Sequence, residues 1–280
     1  MSEESQEGGI RKILIVLDAS PNSIAALGAA AELASLLDAE LTAVYIEDIN
    51  LLRYSSFPFA REVSYYSARV IEQNQQTMEL QLRAQASRAR KAVQSIAERH
   101  SLRSEFRVVR GLIPAEVLKA AVDVDLIILG RAGWSHRRRL GSTAKLVIAQ
   151  SPRHALIFPQ GQKFRLPLGL IFDGTVASMR ALTFANNLLK DQQAEIAVII
   201  LAQEIHQARE LQKEIENWVD EHDQQVSYHW LIGPDTRRLG AFIRSEGYRS
   251  LILPAPVEPV AIETITAFMD EVEIPVLLIR

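Results

Sequence analysis

The 280-residue chain contains no cysteine. Disulfide bonds, thiolate catalysis, iron–sulfur clusters and cysteine-based zinc sites are therefore excluded. Its six histidines are scattered without the spacing of a metal site, so we expect no metal held by histidine. No apolar run approaches the ~18 residues of a membrane-spanning helix. The opening residues, MSEESQEGG, are acidic and polar, unlike a signal peptide. We expect a cytoplasmic protein with no membrane partner.

Neither sign of charge is in large excess, since 31 Lys and Arg face 34 Asp and Glu for a formal net charge of −3. This balance gives no general attraction to nucleic acid. One local run, Arg137, Arg138 and Arg139, is the only feature that favours such binding, and we expect no nucleic-acid partner. Apolar residues are plentiful at 48%, and a chain of this length with this composition favours two packed domains.

An internal repeat indicates the architecture. Residues 12–46 and 168–201 align so that Asp18 falls on Asp173. Each copy opens with an unbroken apolar run ending in Asp, which is typical of a parallel strand buried on both faces. A helix follows in both copies; in the first, Ser20 is the predicted N-cap. Strand, helix and strand at this spacing form a βαβ unit.

The alternation continues to the end of each copy. Further strands are predicted at 106–111, 125–130 and 155–158 in the first copy, and at 228–233, 250–254 and 275–280 in the second. The sequence therefore predicts an α/β protein of two tandem Rossmann-like domains, each an open five-stranded, mainly parallel sheet flanked by helices. The predicted boundaries are a disordered tail at 1–9, a first domain at 10–159, a linker at 160–166 and a second domain at 167–280.

A long helical stretch distinguishes the first copy. Apolar residues from Ile71 to Ile96 recur at helical spacing, which predicts one helix over residues 64–100. Such a helix either crosses over and packs on its own sheet or supplies a seam for a protein partner.

The segment LGRAGWSHRRRLGST, residues 129–143, leaves a predicted strand at the edge where ligands bind in open parallel sheets. Gly130 and Gly133 would let main-chain N–H groups approach a phosphate, because neither residue has a Cβ. Gly141 and Ser142 open the next helix, whose N-terminal N–H groups and dipole favour an anion. The alternative is an ordinary strand-to-helix connection with solvated arginines. Neither a Walker loop nor a dinucleotide fingerprint is present.

The βαβ repeat, the strand ending in Asp18 and this glycine pattern together resemble the universal stress protein family in its tandem two-domain form. The resemblance covers the chain from about residue 10 to residue 280 and implies a Rossmann-like fold of the universal-stress type. The nucleotide-binding branch has G-x2-G-x9-G-[ST], which implies ATP, alone or with Mg²⁺. The residues that the resemblance assigns to nucleotide binding are Asp18, Val44, Leu129, Gly130, Gly133, Gly141, Ser142 and Thr143.

Within that set, the resemblance implies that Asp18 and Val44 contact adenine or ribose. It implies that Leu129, Gly130 and Gly133 pass under the ribose and phosphates, and that Gly141, Ser142 and Thr143 receive the phosphates. The present sequence departs from the pattern, because seven residues rather than nine separate Gly133 from Gly141. A loop two residues shorter would tighten or close the phosphate cradle. Arg137, Arg138 and Arg139 add cationic groups within it that suit phosphate oxygens.

The second copy has LPAPVEPVAIETIT at the corresponding place, residues 253–266. Proline removes N–H donors and glutamate repels phosphate, so we expect this degenerate domain to hold no nucleotide. The resemblance implies a stress-response protein in which ATP is a regulatory ligand and the two domains form a fused pseudo-dimer through their last strands. At most it implies a slow ATPase, with no catalytic residue assigned.

The alternative function is a nucleotide-independent interaction module, with both sites vestigial and an unidentified protein partner. The sequence leaves open whether two chains associate further as a homodimer.

Overall fold

The computed structural model describes residues 9–18, 21–57, 61–63, 70–72, 74–131, 140–159, 161–189, 194–222, 224–233, 235–255 and 259–280. Strands and helices alternate along the chain. The strands are β1 (Lys12–Leu17), β2 (Glu40–Asp48), β3 (Arg61–Val63), β4 (Val70–Glu72), β5 (Ser104–Gly111), β6 (Leu126–Gly130), β7 (His154–Phe158), β8 (Leu168–Phe172), β9 (Ile196–Ala202), β10 (Val226–Ile232), β11 (Ser250–Pro254) and β12 (Val276–Ile279). The helices are α1 (Pro21–Leu36), α2 (Ile49–Ser55), α3 (Gln75–His100), α4 (Ile113–Ala120), α5 (Ser142–Gln150), α6 (Val176–Leu189), α7 (Ile205–His222), α8 (Thr236–Glu246) and α9 (Pro259–Glu271).

Ten of the strands form one continuous sheet in the order β10-β9-β8-β11-β12-β7-β6-β1-β2-β5. The five strands of each half run parallel to one another. The halves meet where β7 and β12 pair in antiparallel fashion, with Leu156 opposite Leu277. The predicted α/β class and its mainly parallel five-stranded units are therefore confirmed. The short strands β3 and β4 form a separate antiparallel ribbon.

Helices cover both faces of the sheet because its strands are apolar on both sides. Ile13 and Ile15 belong to the core under α1, α3, α6 and α7, whereas Leu14 belongs to the core under α4, α5, α8 and α9. Alternate strand residues point to opposite faces, so an unbroken apolar run fills both layers. Among the described helices, none is long and apolar enough to cross a membrane.

The predicted helix over residues 64–100 is wrong at its start. Residues Val70–Glu72 form β4, and α3 begins at Gln75. Asn74 is the N-cap of α3, since its side chain accepts a hydrogen bond from the Thr77 N–H at 2.8 Å. Ile71 matches the helical stripe by spacing alone. The helix itself packs on α1 and on strands of the first half, as a crossover helix does. The predicted cap Ser20 lies outside the described residues.

Leu156 tests how much the junction of the two halves contributes to stability. This side chain is buried on β7, beside the antiparallel pairing with β12. We expect Leu156→Ala to lower the free energy of unfolding by about 2–5 kcal/mol, because it leaves a cavity in a packed core. Urea unfolding followed by circular dichroism measures the change. Leu80→Ala, at a side chain 66% exposed, is the control and should stay within about 0.5 kcal/mol of the wild type. Equal losses in both variants would contradict the prediction.

Candidate nucleotide site

A crevice is expected at the carboxyl ends of β1 and β6. β1 pairs with β2 on one side and with β6 on the other, so the chain connections leave these strands in opposite directions. This is the switch point at which open α/β sheets bind ligands. Asp18 directly follows β1, and Gly130 is the last residue of β6. The fold thus brings two of the predicted site residues to neighbouring strand ends.

Val44 and Leu129 lie in the strands beside this switch point. Val44 pairs with Val16 on β1, and Leu129 pairs with Ile157 on β7. Both side chains are almost wholly buried and belong to the same apolar core. In this structure they line the interior of the sheet layer rather than an open surface. Gly133, Arg137, Arg138 and Arg139, which the sequence also assigns to the site, lie outside the described residues.

Helix α5 begins shortly after the segment 132–139, which lies outside the described residues. Gly141 is the N-cap, with extended main-chain angles and no capping side chain. Its own N–H donates to the Arg131 carbonyl oxygen at 2.8 Å, which brings together the residues on either side of the segment 132–139. Ser142 is consequently the first helical residue and does not cap the helix. The N–H groups of Ser142 and Thr143 have no intrahelical partner, as at every helix start, and they are the donors available to an anion.

Asp270 of the second half contacts Arg131 and Leu140 of the first half, and we call this contact the brace. The sequence did not predict it. Asp270 on α9 accepts the Leu140 N–H at 2.8 Å, and the same oxygen lies 3.7 Å from Nη2 of Arg131. Arg131 is only 7% exposed and donates through Nη1 to the Val272 carbonyl at 2.6 Å. Burial lowers the pKa of Arg131, and the carboxylates Asp270 and Glu273 oppose that shift.

The brace has a consequence for ligand binding. Because its guanidinium points into the second half, Arg131 is not oriented as a phosphate ligand. Asp270 instead holds both ends of the loop, at Arg131 and at Leu140. The Leu140 N–H is therefore already occupied, and the first turn of α5 remains as the donor group. Only the three-dimensional packing of α9 against α5 could identify this partner, which is 139 positions from Arg131 along the chain.

Acidic groups lie at the ends of β1 and β2. Glu47 is a buried carboxylate that accepts from Nε of Arg110 at 2.8 Å, and its partner is on the neighbouring strand β5. Tyr45 donates its hydroxyl to Oε1 of Gln85 at 2.8 Å. Burial raises the pKa of Tyr45 to about 12, and the negative charges of Glu47 and Asp18 add to the effect. The Glu47 carboxylate and the Tyr45 hydroxyl are thus already engaged, by Arg110 and by Gln85.

Donors at α5 and a carboxylate at β1 suit a ligand with an anion at one end and hydroxyl groups at the other. In the described part of the chain, no group of three His, Asp or Glu could hold a metal ion. The corresponding places in the second half are Asp173 and the start of α9. Asp173 accepts from the N–H and the hydroxyl of Thr175, at 3.1 and 2.6 Å. Pro259 is the first residue of α9 and has no N–H to offer.

Sequence comparison then identifies the family, because the sequence model of the universal stress protein family matches residues 9–159. The chain belongs to the universal stress protein family. The match covers the half that contains Asp18 and the glycine segment. No curated protein matches the sequence.

Solved structures agree with the fold of this universal stress protein over 96% of its length. A universal stress protein from Archaeoglobus fulgidus DSM 4304 is 16% identical, with a TM-score of 0.75, over 96% of this chain and 98% of that one. A universal stress protein from Pseudomonas aeruginosa UCBPP-PA14 is 13% identical, with a TM-score of 0.60, over 96% and 93%. The cytoplasmic domain of a prokaryotic cation chloride cotransporter is 9% identical, with a TM-score of 0.52, over 96% and 95%. The fold alone therefore does not specify the function.

Removing the Asp270 carboxylate tests whether the brace stabilises the protein. We expect Asp270→Ala to lower the free energy of unfolding by about 2–3 kcal/mol, because it leaves the Arg131 guanidinium and the Leu140 N–H without their carboxylate. Chemical denaturation at neutral pH measures the loss. Asp220→Ala, on the exposed side of α7, is the control and should change stability by less than about 0.5 kcal/mol. A loss at Asp270 no larger than in the control would show that the brace contributes nothing.

The raised pKa of Tyr45 predicts that the free energy of unfolding falls at alkaline pH. Its folded pKa of about 12 lies above the ordinary value of ~10, so folding favours the neutral phenol. The contribution of Tyr45 to stability is full below the unfolded pKa and disappears as pH rises through about 12. Between pH 10 and 12, we expect the wild type to lose roughly 1–2 kcal/mol more of its unfolding free energy than Tyr45→Phe loses. Urea unfolding across this range measures it. A pH profile in Tyr45→Phe identical to that of the wild type would refute the assignment.

Proposed function

We propose that this universal stress protein binds an adenine nucleotide, with ATP as the preferred ligand, at the carboxyl ends of β1 and β6. The nucleotide acts as a regulatory ligand rather than as a substrate. The observation that carries the proposal is the start of α5, which has no side-chain cap and follows β6, the strand beside the end of β1 at Asp18. This arrangement supplies main-chain donors and an acceptor at the two ends of one crevice.

The phosphate end of the site rests on main-chain chemistry. The first turn of α5, with Ser142 and Thr143, presents main-chain N–H groups and the positive end of the helix dipole to an anion. The N–H of Gly141 is bonded to Arg131, so the next two residues provide the donors. In the proposal Gly130 and Gly133 allow close main-chain approach. Arg137, Arg138 and Arg139 neutralise phosphate charge, with or without Mg²⁺.

The nucleoside end of the site rests on Asp18. A carboxylate accepts hydrogen bonds only, so it suits the hydroxyl groups of ribose or the amino group of adenine. In the proposal Val44 and Leu129 border the nucleoside through their main chain, because their side chains are buried in the core of the sheet layer. No triad of nucleophile, base and orienting group is assigned to this crevice, and the reaction supported is at most a slow hydrolysis of ATP.

The second half completes the molecule without a nucleotide of its own. In the second half α9 begins with proline, which has no main-chain N–H, so this helix start offers one donor fewer than the start of α5. We propose a first domain over residues 10–159, a linker over 160–166 and a second domain over 167–280, joined as a fused pseudo-dimer. The pairing of β7 with β12 supports that arrangement. A cytoplasmic stress response remains the expected setting.

A protein-interaction module is the second candidate. Tyr54 and Phe57, near the end of α2, are 67% and 62% exposed, and their ring centroids are 6.5 Å apart. Leu51 on the same helix is also exposed. Exposed apolar groups of this kind occur on binding surfaces. They would serve a protein partner whether or not a nucleotide is bound.

ATP binding is tested by isothermal titration and by the ATP-dependent shift of melting temperature. A ligand that binds only the folded state at 100 times its Kd adds about 2.7 kcal/mol of stability. We expect one site per chain. ADP, AMP and cyclic AMP are titrated in parallel to define the preference.

The repeat supplies matched variants for this experiment. Asp18→Asn should weaken ATP about tenfold or more, whereas Asp173→Asn, its counterpart in the second copy, should leave Kd unchanged. Ser142→Pro removes one N–H while preserving the helix start, because proline is favoured at the first helical position and Gly141 is extended. We expect it to weaken ATP about tenfold.

Ser142→Ala controls for the lost hydroxyl and should have a smaller effect than Ser142→Pro. Equal affinities for ATP in wild type, Asp18→Asn and Ser142→Pro would place the ligand elsewhere. No binding of any of the four nucleotides at millimolar concentration would refute the proposal and favour the protein-interaction module.

A further inference from the structure

The ten-stranded sheet ends at β5 on one side and at β10 on the other, and the two edge strands differ in chemistry. β5 contains Glu105, Arg107 and Arg110, and Nη2 of Arg107 lies 2.6 Å from the Glu105 carboxylate. Charged side chains on an edge strand oppose its pairing with another chain. β10 has the sequence VSYHWLI and contains no Lys, Arg, Asp, Glu or Pro. The edge in the second half therefore lacks the protection found in the first half.

The hydrogen bonds of β10 show which of its main-chain groups point away from the sheet. The Gly233 N–H donates to the Ala202 carbonyl at 2.8 Å, and the Gln225 carbonyl accepts from the first residue of β9 at 3.0 Å, so the odd-numbered residues bond to β9. Successive residues of a strand direct their main-chain groups to opposite sides. The N–H and carbonyl groups of Tyr228 and Trp230 therefore point outward, where no described strand pairs with them.

The even-numbered side chains of β10 form an apolar and aromatic row on the face covered by α7. Val226, Tyr228 and Ile232 pack against the core of that layer. Trp230 is 40% exposed, and its Nε1 donates to Oε1 of Gln212 on α7 at 2.7 Å. The indole is thus held in a defined orientation at the edge of the sheet. Aromatic residues of this kind stabilise a sheet when they lie opposite each other on paired strands.

Opposite charges lie at the two ends of this edge. At the end of β10, Nη1 of Arg238 donates to the Ile232 and Gly233 carbonyls, at 3.3 Å each. Near the start of the strand, α7 presents Glu216 and Asp220; after burial, their negative charges are the further causes that raise the pKa of Tyr228. An antiparallel copy of the same edge brings its basic end to this acidic end. Exposed charges of this kind orient the pairing and add little stability.

These features define one register for the pairing of β10 with β10 of a second copy. When the two-fold axis passes at His229, Tyr228 lies opposite Trp230 of the second copy. Each of the two residues has both main-chain groups pointing outward, so they exchange two hydrogen bonds, and the symmetric pair does the same. The two aromatic side chains lie next to each other on the α7 face. A slip by one residue would lose both matches, because it would place outward groups opposite inward ones.

We propose that β10 is an interface between two copies of this chain, in which the β10 strands pair in antiparallel fashion about a two-fold axis at His229. The pairing occupies this edge in both copies, and the charges of β5 protect the other edge, so association stops at two chains. The interface contains none of the residues of the nucleotide crevice. Its failure would leave the nucleotide proposal intact, and the reverse also holds.

Sedimentation equilibrium of the full chain, in a dilution series from submillimolar to micromolar concentration, measures the association. We expect a dimer that dissociates reversibly into single chains. Trp230→Lys places a charge on the interface and should raise the Kd of the dimer about tenfold or more. Val108→Lys is the matched control, because Val108 is an apolar residue of the opposite edge strand and is 41% exposed. It should leave the Kd unchanged, and melting curves verify that both variants fold.

Cross-linking tests the register and does not depend on Trp230→Lys. Because the chain has no cysteine, a disulfide between copies forms only at an introduced residue. In the proposed register the two Cα atoms of residue 229 are about 4.5 Å apart, within disulfide range, whereas those of residue 227 are about 14 Å apart. His229→Cys should therefore cross-link with diamide, and Ser227→Cys, at another half-buried position on the same face of β10, should not.

Three results would overturn the proposal. The first is a wild-type mass of one chain at submillimolar concentration, which would leave this edge to a strand from another protein. The second is equal dimer affinity in Trp230→Lys and wild type. The third is a cross-link at both cysteine positions or at neither.

Discussion

Ten strands form a single sheet because β7 and β12, the last strands of the two halves, pair with each other. Without this pairing each would be an edge strand with unsatisfied main-chain groups beside an apolar row of side chains. The junction also determines what lies above and below it. On one face α5 and α9 pack together and bring Asp270 to the base of the glycine loop. On the other face, a cavity of about 500 Å³ lies beside α6.

The sequence predicted the sheet well because buried parallel strands have a strong signature. Residues 250–254 were predicted as a strand and form β11 with the same ends, and the residues of the first repeat form β1, α1 and β2. The start of α3 was predicted poorly. Ile71 has the right spacing for a helical stripe, but the local hydrogen bond of Asn74 decides where the helix begins. Hydrophobic periodicity indicates which face of a helix is buried. It does not indicate the residue at which an N-cap begins the helix.

The candidate site was predictable only in part. Strand ends placed Asp18 and Gly130 at one edge, because the topology of a parallel sheet brings carboxyl ends together. A glycine pattern, however, indicates where main-chain donors can lie and not which of them are already bonded. The N–H groups of Leu140 and Gly141 are occupied, one by a side chain from the far end of the chain. Buried Glu47, with its partner on β5, is likewise a product of register rather than of local pattern.

In the brace the second half supplies the carboxylate and the first half supplies the groups that it binds. Where Arg131 follows β6 in the first half, Ala255 follows β11 in the second, and both donate a main-chain N–H to the neighbouring last strand. When the two halves are aligned on Phe158 and Ile279, which accept these bonds, Ala149 on α5 corresponds to Asp270. The reciprocal contact would therefore join two alanines, Ala149 and Ala255. In an assembly of identical subunits every substitution appears twice, on both sides of the symmetry axis. In a single chain it appears once, and the two halves are free to become unlike.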